Sequence, residues 1–342
     1  MRYYEITITQ SEANLAAGAN AFPPITFSTL DSAGKNNTSA LKIDLDVFQT
    51  WFHQPAQLGY LRVYGVSYET LKQGANLSNT NISIKVGMSK GLPFANPAQQ
   101  GLVINGTIFQ AFGNWQGNMV TLDLVIVNQV ADITKKPNLS FVWEKGVPLQ
   151  TAITQTLQNA YGTVNSSGAR TPASVYGQLS PKLIYTETQP YTYTSLESFS
   201  LAMNRLSKQI IANDQYMGAS ITSVNGGFLL DDGTAPATET INVDYQDLVG
   251  NLTWLDLYTV QAKLVMRGKI DIGNYVKFPA LSPATSTANS FSQLRRNVSF
   301  NGVFRINKIR HVGSSRQADA NSWVTIIDCT IPDAITAGST GG

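Results

Sequence analysis

The sequence predicts an α+β protein that is mainly β, in which β-rich first and last thirds flank a middle region with two helices. Apolar and polar residues alternate in the outer thirds, as in Ile82–Met88 and Tyr258–Met266, a pattern typical of strands with one buried face. In the middle region, apolar residues instead recur at helical spacing. The two outer thirds also share a similar order of strand and turn signals, described below.

The first third, residues 1–133, contains predicted strands that end in a hairpin. Four alternating segments are expected to be strands: Tyr3–Thr9, Lys42–Phe48, Leu61–Tyr68 and Ile82–Met88. Two further strands, Leu102–Phe112 and Val120–Ile126, are separated by the turn-forming residues 113–118. That arrangement predicts a hairpin.

The middle region, residues 134–240, combines short strands with two helices. A strand is expected at Leu139–Trp143 and a helix at Leu149–Tyr161, which Gly162 ends. Ser195 is a suitable N-cap for a second helix, whose apolar residues step by three and four: Leu196, Phe199, Met203, Leu206 and Ile210. Residues 162–180 predict a loop, and Ala219–Leu230 a hairpin.

The last third, residues 241–333, returns to strands. Tyr258–Met266 and Asn274–Phe278 are followed by a polar loop at residues 283–293. A final pair is expected at Val298–Val312 and Trp323–Ile331, before a flexible tail of small residues at 334–342.

The two β-rich thirds carry a faint repeat. Asn105-Gly106 and Asn301-Gly302 lie in similar apolar settings, 301 − 105 = 196 residues apart, and each is followed by a glycine turn and a second strand. This pattern predicts an internal duplication. The alternative is that any two antiparallel hairpins share such features.

The composition excludes several classes of protein. Only 13% of residues are charged although 43% are hydrophobic, which favours a subunit within an assembly over a free monomer. The net charge of +2 and the lack of a long basic run argue against electrostatic capture of nucleic acid. A single cysteine, Cys329, excludes an intramolecular disulfide framework and a multi-cysteine metal site. We expect no signal peptide and no membrane-spanning segment.

The titratable residues predict no catalytic, cofactor-binding or metal site, so the chain is expected not to be an enzyme. The two histidines, His53 and His311, are interpreted as packing or surface residues. Asp231 and Asp232 form the densest acidic spot, but their place at the end of a hairpin arm predicts turn hydrogen bonds. Asp44 and Asp46 are assigned to the solvated face of a strand.

Aromatic and basic residues provide weaker candidates for binding. Trp115, Tyr191 and Tyr193 could contact sugars, or fill a protein interface. A basic cluster could approach nucleic acid or an acidic partner, or simply form a solvated strand face; it comprises Arg295, Arg296, Arg305, Lys308 and Arg310.

Four segments together resemble the baseplate hub (tail hub) proteins of contractile-tailed bacteriophages, particularly the Mu-like group, whose fold is shared with the base of type VI secretion spike proteins. The segments are Gly87–Trp115, Trp143–Tyr161, Tyr245–Pro279 and Val298–Asp328. They span most of the chain, none of their motifs is catalytic, and the polar region 162–194 departs from the family pattern.

The resemblance implies two related antiparallel β-barrels, tube-like domains at residues 1–133 and 241–333, with residues 134–240 decorating or bracing them. It implies a homotrimer that forms a pseudo-sixfold ring in the virion, made in the host cytoplasm. One face would meet the sixfold tail tube or an adaptor, and the other the threefold central spike, beside neighbouring baseplate proteins. Such a hub would seed tube assembly and leave a lumen through which phage DNA passes without sequence-specific binding.

Two other functions remain open. A virion carbohydrate- or receptor-binding protein would use Trp115, Tyr191 and Tyr193. A peptidoglycan-cleaving enzyme would use Asp231 and Asp232 as its carboxylate pair.

Overall fold

The computed structural model describes residues 2–11, 22–50, 57–89, 95–128, 138–164, 170–185, 187–213, 216–224, 226–234, 240–256, 259–279, 300 and 302–331. The chain forms two compact units. The first combines residues 1–49, 57–128 and 239–331, and the second combines residues 50–56, 129–238 and 332–342. None of the described helices is long and apolar enough to cross a membrane. The predicted loop at 283–293 and tail at 334–342 lie outside the described residues.

The first half of the first unit, up to residue 128, is built on antiparallel strands. They are β1 (Arg2–Thr9), β2 (Ile25–Ser28), β3 (Lys42–Thr50), β4 (Gln57–Tyr64), β5 (Asn81–Met88), β6 (Gly101–Gln116) and β7 (Met119–Asn128). Their order in the sheet is β3-β4-β7-β6-β5-β1-β2. A short helix, α1 (Tyr68–Gln73), and 3-10 turns at Gly74–Leu77 and Pro97–Gln99 connect them.

The second half of the first unit, from residue 240, continues the same sheet. Its strands are β15 (Thr240–Asn242), β16 (Thr253–Trp254), β17 (Thr259–Val265), β18 (Tyr275–Lys277), β19 (Val303–Ser314) and β20 (Trp323–Thr330). They are arranged as β16-β17-β20-β19, and β18 then pairs with β19 and β15 with β18. A 3-10 turn at Tyr245–Asp247 precedes β16.

Both halves have the same strand order. Without β2, each half has six described strands, which can be numbered from 1 to 6 along the chain. In both halves these strands lie in the order 2-3-6-5-4-1 across the sheet. One pairing differs, since β1 is antiparallel to β5 whereas β15 is parallel to β18. Among the described residues all thirteen strands form one continuous sheet, and the closure of each half into a barrel stays a prediction.

A bulge in each long hairpin fixes which residues correspond. The register shifts between Ile108 and Gln110 in β6–β7, and between Ile306 and Lys308 in β19–β20. Aligning the bulges gives an offset of 306 − 108 = 198 residues. This is two more than the offset of the Asn-Gly pairs, so Gly302 is not equivalent to Gly106.

One face of the sheet forms an apolar core, because the strands alternate. Ile43, Leu45 and Val47 of β3 are buried, while the residues between them are partly exposed. Burying each such side chain contributes about 1.5–3 kcal/mol. Met266 and Trp323 of the second half belong to the same apolar cluster as the strands of the first half. The two halves therefore share a core as well as a sheet.

The two halves meet edge to edge where β3 pairs with β19. The Ser315 N–H donates to the Ile43 carbonyl oxygen at 2.8 Å, and the Trp323 Nε1–H donates to the Gly87 carbonyl oxygen at 2.9 Å. We call the β3–β19 contact the joint.

A second contact between the halves depends on two glycines. A Cβ added at Gly101 would lie 2.6 Å from the Gly268 carbonyl carbon, and one added at Gly268 would lie 2.3 Å from the Gly101 carbonyl oxygen. The Gly268 N–H also donates to the Gln99 carbonyl oxygen at 2.8 Å. Only glycine at both positions lets the backbones approach this closely.

The second unit contains the two predicted helices, α2 (Leu149–Tyr161) and α3 (Leu196–Ile211), both confirmed. Ser195 Oγ accepts a hydrogen bond from the Ser198 N–H at 3.1 Å, which confirms the N-cap. The helices pack with short strands around aromatic residues such as Phe141 and Phe199. These strands are β8 (Leu139–Trp143), β9 (Thr163–Val164), β10 (Arg170–Thr171), β11 (Val175–Gln178), β12 (Gln189–Tyr193), β13 (Ser220–Val224) and β14 (Gly227–Asp231).

Three predicted boundaries are wrong. The strand expected to reach Tyr68 ends at Tyr64, because Gly65 turns with φ +76° and Ser67 caps α1. The hairpin loop expected at 113–118 is limited to residues 117 and 118, since β6 continues to Gln116. The loop expected at 162–180 contains β9, β10 and β11, the last of which pairs in parallel with β14.

Candidate functional site: the charged face of the sheet

The face of the sheet opposite the core carries charged residues from both halves. We call it the charged face. It is formed by Lys42, Asp44, Asp46, Arg62, Asp123, Lys308, Arg310 and Asp328. These side chains alternate with buried apolar residues along β3, β4, β7, β19 and β20. Strand periodicity therefore gathers charges from distant parts of the chain onto one surface.

An ion pair crosses the joint on this face. The Arg310 guanidinium donates to both carboxylate oxygens of Asp46, from Nε at 2.9 Å and from the terminal nitrogen at 2.7 Å. This hydrogen bonding raises the pKa of Arg310 above its ordinary value. Because the two side chains are 48% and 37% exposed, the ion pair adds little stability to the joint. Its two parallel hydrogen bonds mainly fix the relative orientation of the strands.

Asp123 is the centre of the first-half part of the charged face. Its carboxylate accepts hydrogen bonds from the Tyr60 hydroxyl at 2.6 Å, from Asn114 Nδ2 at 2.7 Å and from Arg62 Nε. Burial alone would raise the pKa of Asp123, but these three hydrogen bonds outweigh it and lower the pKa below its ordinary value. Asp123 therefore stays ionised at neutral pH, and it fixes the positions of its three donors.

The remaining charges are also paired. Lys308 Nζ lies 3.4 Å from Asp328 Oδ2, and Gln261 Nε2 donates to Asp328 Oδ1 at 2.8 Å. Lys42 Nζ lies 3.8 Å from Asp44 Oδ1 and 4.3 Å from the centre of the Tyr64 ring. Each basic residue of this face thus has a carboxylate beside it.

A groove of about 560 Å³ follows the joint across the charged face. Its floor combines the Arg310–Asp46 and Lys308–Asp328 pairs with apolar side chains, namely Phe48, Leu58, Val125 and Ile326. Because the charges are neutralised in pairs, the groove presents no net basic surface that would hold a phosphate backbone. Among the residues that the structure describes, no cluster of three or more acidic, histidine or cysteine side chains is arranged to hold a metal ion.

The predicted candidate residues are dispersed. His311 is fully buried in the second half, where its Nδ1 lies 3.0 Å from Thr325 Oγ1, and burial lowers its pKa to about 3. Of the two interpretations, packing or surface, burial favours packing for His311. His53 lies outside the described residues. Asp231 and Asp232 accept hydrogen bonds from the backbone N–H groups of Gly233 and Thr234, each at 3.1 Å, as the turn interpretation predicts.

The aromatic candidates lie in different units. Trp115 of the first unit is 64% exposed near the end of β6, beside Tyr68 at 6.0 Å between ring centres. Tyr191 and Tyr193 belong to β12 of the second unit, with their ring centres 6.3 Å apart.

The predicted basic cluster divides between two environments. Lys308 and Arg310 are on the charged face, whereas Arg305 is buried, 6.0 Å from the centre of the Tyr275 ring. Arg295 and Arg296 lie outside the described residues. Arg305, Lys308 and Arg310 therefore do not form one basic surface.

The sequence prediction missed two features. One is the Asp123 network, which has no local signal because its members come from three strands. The other is Gly87–Gly91, which has the Gly-x-Ser-x-Gly spacing of a serine-hydrolase nucleophile turn. Such a turn exposes its serine, whereas Ser89 is 5% exposed. Gly87 is instead required by packing, because an added Cβ would lie 2.6 Å from Gln100 Cα.

Comparison with solved structures identifies the fold. The 43 kDa tail protein of prophage MuSo2 from Shewanella oneidensis is 10% identical, with a TM-score of 0.51 and 98% of each chain covered. A tail protein from Neisseria meningitidis MC58 is 9% identical, with a TM-score of 0.51 and 97% of each chain covered.

A third structure is the E. coli c3393 protein, a component of the type VI secretion system described as structurally similar to the T4 bacteriophage tail proteins gp27 and gp5. It is 8% identical, with a TM-score of 0.51, and the alignment covers 87% of this chain and 75% of that one. No protein-family model and no curated protein sequence matches the chain. The chain therefore has the fold expected from the resemblance, that of prophage tail proteins and a type VI secretion component.

Proposed function

We propose that this chain is a structural hub of a phage tail baseplate, which joins the sixfold tail tube to the threefold central spike. The observation that carries the proposal is the repeated strand order of the two halves, joined edge to edge in one sheet. Solved tail proteins with the same fold over nearly their whole length support it.

A repeated half gives a physical solution to a symmetry mismatch. Three copies of a chain with two similar halves place six similar halves around one axis. Such a homotrimer offers a sixfold rim to a tail tube or adaptor protein, while its true threefold symmetry suits a spike. Residues 1–133 and 241–333 would be the two tube-like barrels, and residues 134–240 would brace them against neighbouring baseplate proteins.

The charged face is proposed to line the channel of this ring. Its basic residues are paired with carboxylates, so it offers phage DNA few free cations and would let the DNA pass without sequence-specific binding. The role is thus structural and non-enzymatic: the ring seeds tube assembly and leaves a lumen for DNA ejection in the virion.

The oligomeric state of the purified full chain tests the proposal. Mass photometry or light scattering is expected to give three copies, and electron microscopy along the ring axis is expected to give six lobes. A chain that stays monomeric at high concentration, or a ring with another number of lobes, would overturn the proposed hub.

A further inference from the structure

Arg2, at the start of β1, reaches from the first half to the turn between β19 and β20. We call this turn, residues 315–322, the long turn. Its counterpart between β6 and β7 is Gly117-Asn118 alone, because alignment of the bulges places Gln116 where Ser314 lies. The second half therefore carries an extended turn that the first half lacks.

The guanidinium of Arg2 uses all four of its terminal N–H groups at the long turn. One terminal nitrogen donates to the Ser314 carbonyl oxygen at 2.5 Å and to the Gln317 carbonyl oxygen. The other donates to the Asp319 carbonyl oxygen at 3.1 Å and to Ser322 Oγ at 2.8 Å. The rigid, planar fork of an arginine can serve such acceptors on two sides at once, which a lysine ammonium cannot do.

Hydrogen bonds inside the long turn hold these acceptors together. Ser322 Oγ lies 2.7 Å from the Gln317 carbonyl oxygen and 2.8 Å from the Asp319 carbonyl oxygen. The Asp319 carboxylate accepts from the Asn321 N–H at 2.8 Å and from Gln317 Nε2 at 2.6 Å. The turn of the second half thus forms an acceptor site, and a side chain of the first half fills it.

The long turn also contacts the first half near the start of β3. Ser315 Oγ accepts from the Ile43 N–H at 2.9 Å, beside the backbone bond between the same residues at the joint. The Arg316 guanidinium donates to the Ala40 carbonyl oxygen at 2.5 Å. One turn of the second half therefore bonds to both β1 and the start of β3.

These two strands are distant in the sheet although their ends approach each other in space. Four strands separate β3 from β1 in the order β3-β4-β7-β6-β5-β1. Even so, the Tyr4 hydroxyl of β1 donates to the Leu41 carbonyl oxygen, just before β3. A contact that bridges β1 and β3 therefore acts on the closure of the first half.

We propose that the long turn is a clasp, which closes the first half by holding β1 and the start of β3 together, and that Arg2 is the residue it grips. The first half then reaches its closed form only when residue 322 of the same chain is in place. Closure of one half is thereby coupled to completion of the other. The proposal concerns a single chain and is independent of the number of copies in the assembly.

Limited trypsin digestion of the full chain tests the grip, because Arg316 places a cleavage site inside the long turn. Arg2→Met keeps an apolar stem and removes every donor. Cleavage after Arg316 is expected to become at least about tenfold faster, as the loss of hydrogen bonds from a charged donor predicts. Arg2→Lys is expected to lie between Arg2→Met and the wild type. The matched control is Arg205→Met, at an exposed position of α3, which is expected to leave the rate unchanged.

Hydrogen exchange followed by mass spectrometry tests the closure itself. In Arg2→Met, the amides of β1 and of residues 40–43 are expected to exchange at least about tenfold faster. The amides of β4 and β7, which lie in the middle of the first half, are expected to keep their wild-type rates. A local effect of this kind separates a clasp from a general loss of stability.

A shortened turn provides an independent test. Replacing residues 315–322 by Gly-Asn, the turn of the first half, keeps β19 and β20 but removes most of the acceptors of Arg2. In this variant β1 is expected to exchange as fast as in Arg2→Met. Adding Arg2→Met to the shortened turn is expected to cause no further change, because both changes break the same contact.

Three results would overturn the clasp. The first is an Arg2→Met chain whose cleavage and exchange rates stay within about twofold of the wild type, which would show that the grip of the turn is too weak to hold β1. The second is an equal acceleration of exchange in β4 and β7. The third is an additive effect of Arg2→Met and the shortened turn. The two Arg2 variants decide the question even if the shortened turn prevents folding.

Discussion

Replacing Gly101 by alanine places a methyl group where the backbones of the two halves touch. The added Cβ would lie 2.6 Å from the Gly268 carbonyl carbon and 2.7 Å from the Lys269 nitrogen, whereas ordinary contacts of a Cβ begin at 3.4 Å. Both neighbours are backbone atoms, so neither yields by a simple rotamer change. The halves must therefore move apart at this point.

Overpacking of this kind costs about 1–3 kcal/mol, and the smaller conformational freedom of unfolded alanine offsets about 0.4–1 kcal/mol. We expect a net loss of about 1–2 kcal/mol in the free energy of unfolding, which lowers the Tm of the first unit by about 2–8 °C.

Differential scanning calorimetry measures the change, and the transition of the second unit serves as an internal reference. Gly74→Ala is the matched control, because its Cβ would lie 3.6 Å from the nearest heavy atom, Leu122 Cδ1, at an ordinary helical φ of −48°. A Gly101→Ala Tm equal to or above that of Gly74→Ala would refute the reasoning that the two halves are locked together at this contact.

Three further changes have defined outcomes. Trp323→Phe removes the Nε1–H that bonds the Gly87 carbonyl and is expected to cost about 1–3 kcal/mol in urea denaturation; a loss near zero would contradict the role of this bond. Burial lowers the pKa of His311 to about 3, so this residue protonates more readily when the chain unfolds. Its contribution to the free energy of unfolding is therefore complete above about pH 6.5 and is lost towards pH 3, at up to about 1.4 kcal/mol per pH unit. The unfolding free energy measured from pH 7 to 4 is expected to fall more steeply for the wild type than for His311→Gln, and parallel curves would argue against this assignment. Ser195→Ala removes the cap from the Ser198 N–H and is expected to lower the stability of the second unit by about 0.5–2 kcal/mol, without shifting the calorimetric transition of the first unit.

Most elements of the fold follow from local signals. The helix Leu149–Tyr161 was predicted with its observed bounds, because its apolar spacing and Gly162 mark both the face and the end. α1 was missed because a six-residue helix shows little periodicity, although Gly65 and the cap at Ser67 were available as signals.

The charged face could not be predicted from the sequence, for a different reason. Asp46 and Arg310 are 264 residues apart, and Arg62 and Asp123 are 61 apart, so each pair depends on which strands become neighbours. Alternation identifies the outward residues of a strand, but it does not specify the strand beside it. The duplication was detectable only as a faint pattern, since strand order and bulge position are conserved between the halves while the residues are not.

The joint between β3 and β19 also limits how such a gene can change by recombination. An exchange that replaced one half would pair a β3 from one parent with a β19 from another, and both the backbone register and the Arg310–Asp46 pair would have to agree. A half made alone would leave an unprotected strand edge, which invites aggregation. A change of register on one side of the joint therefore constrains the strand on the other side.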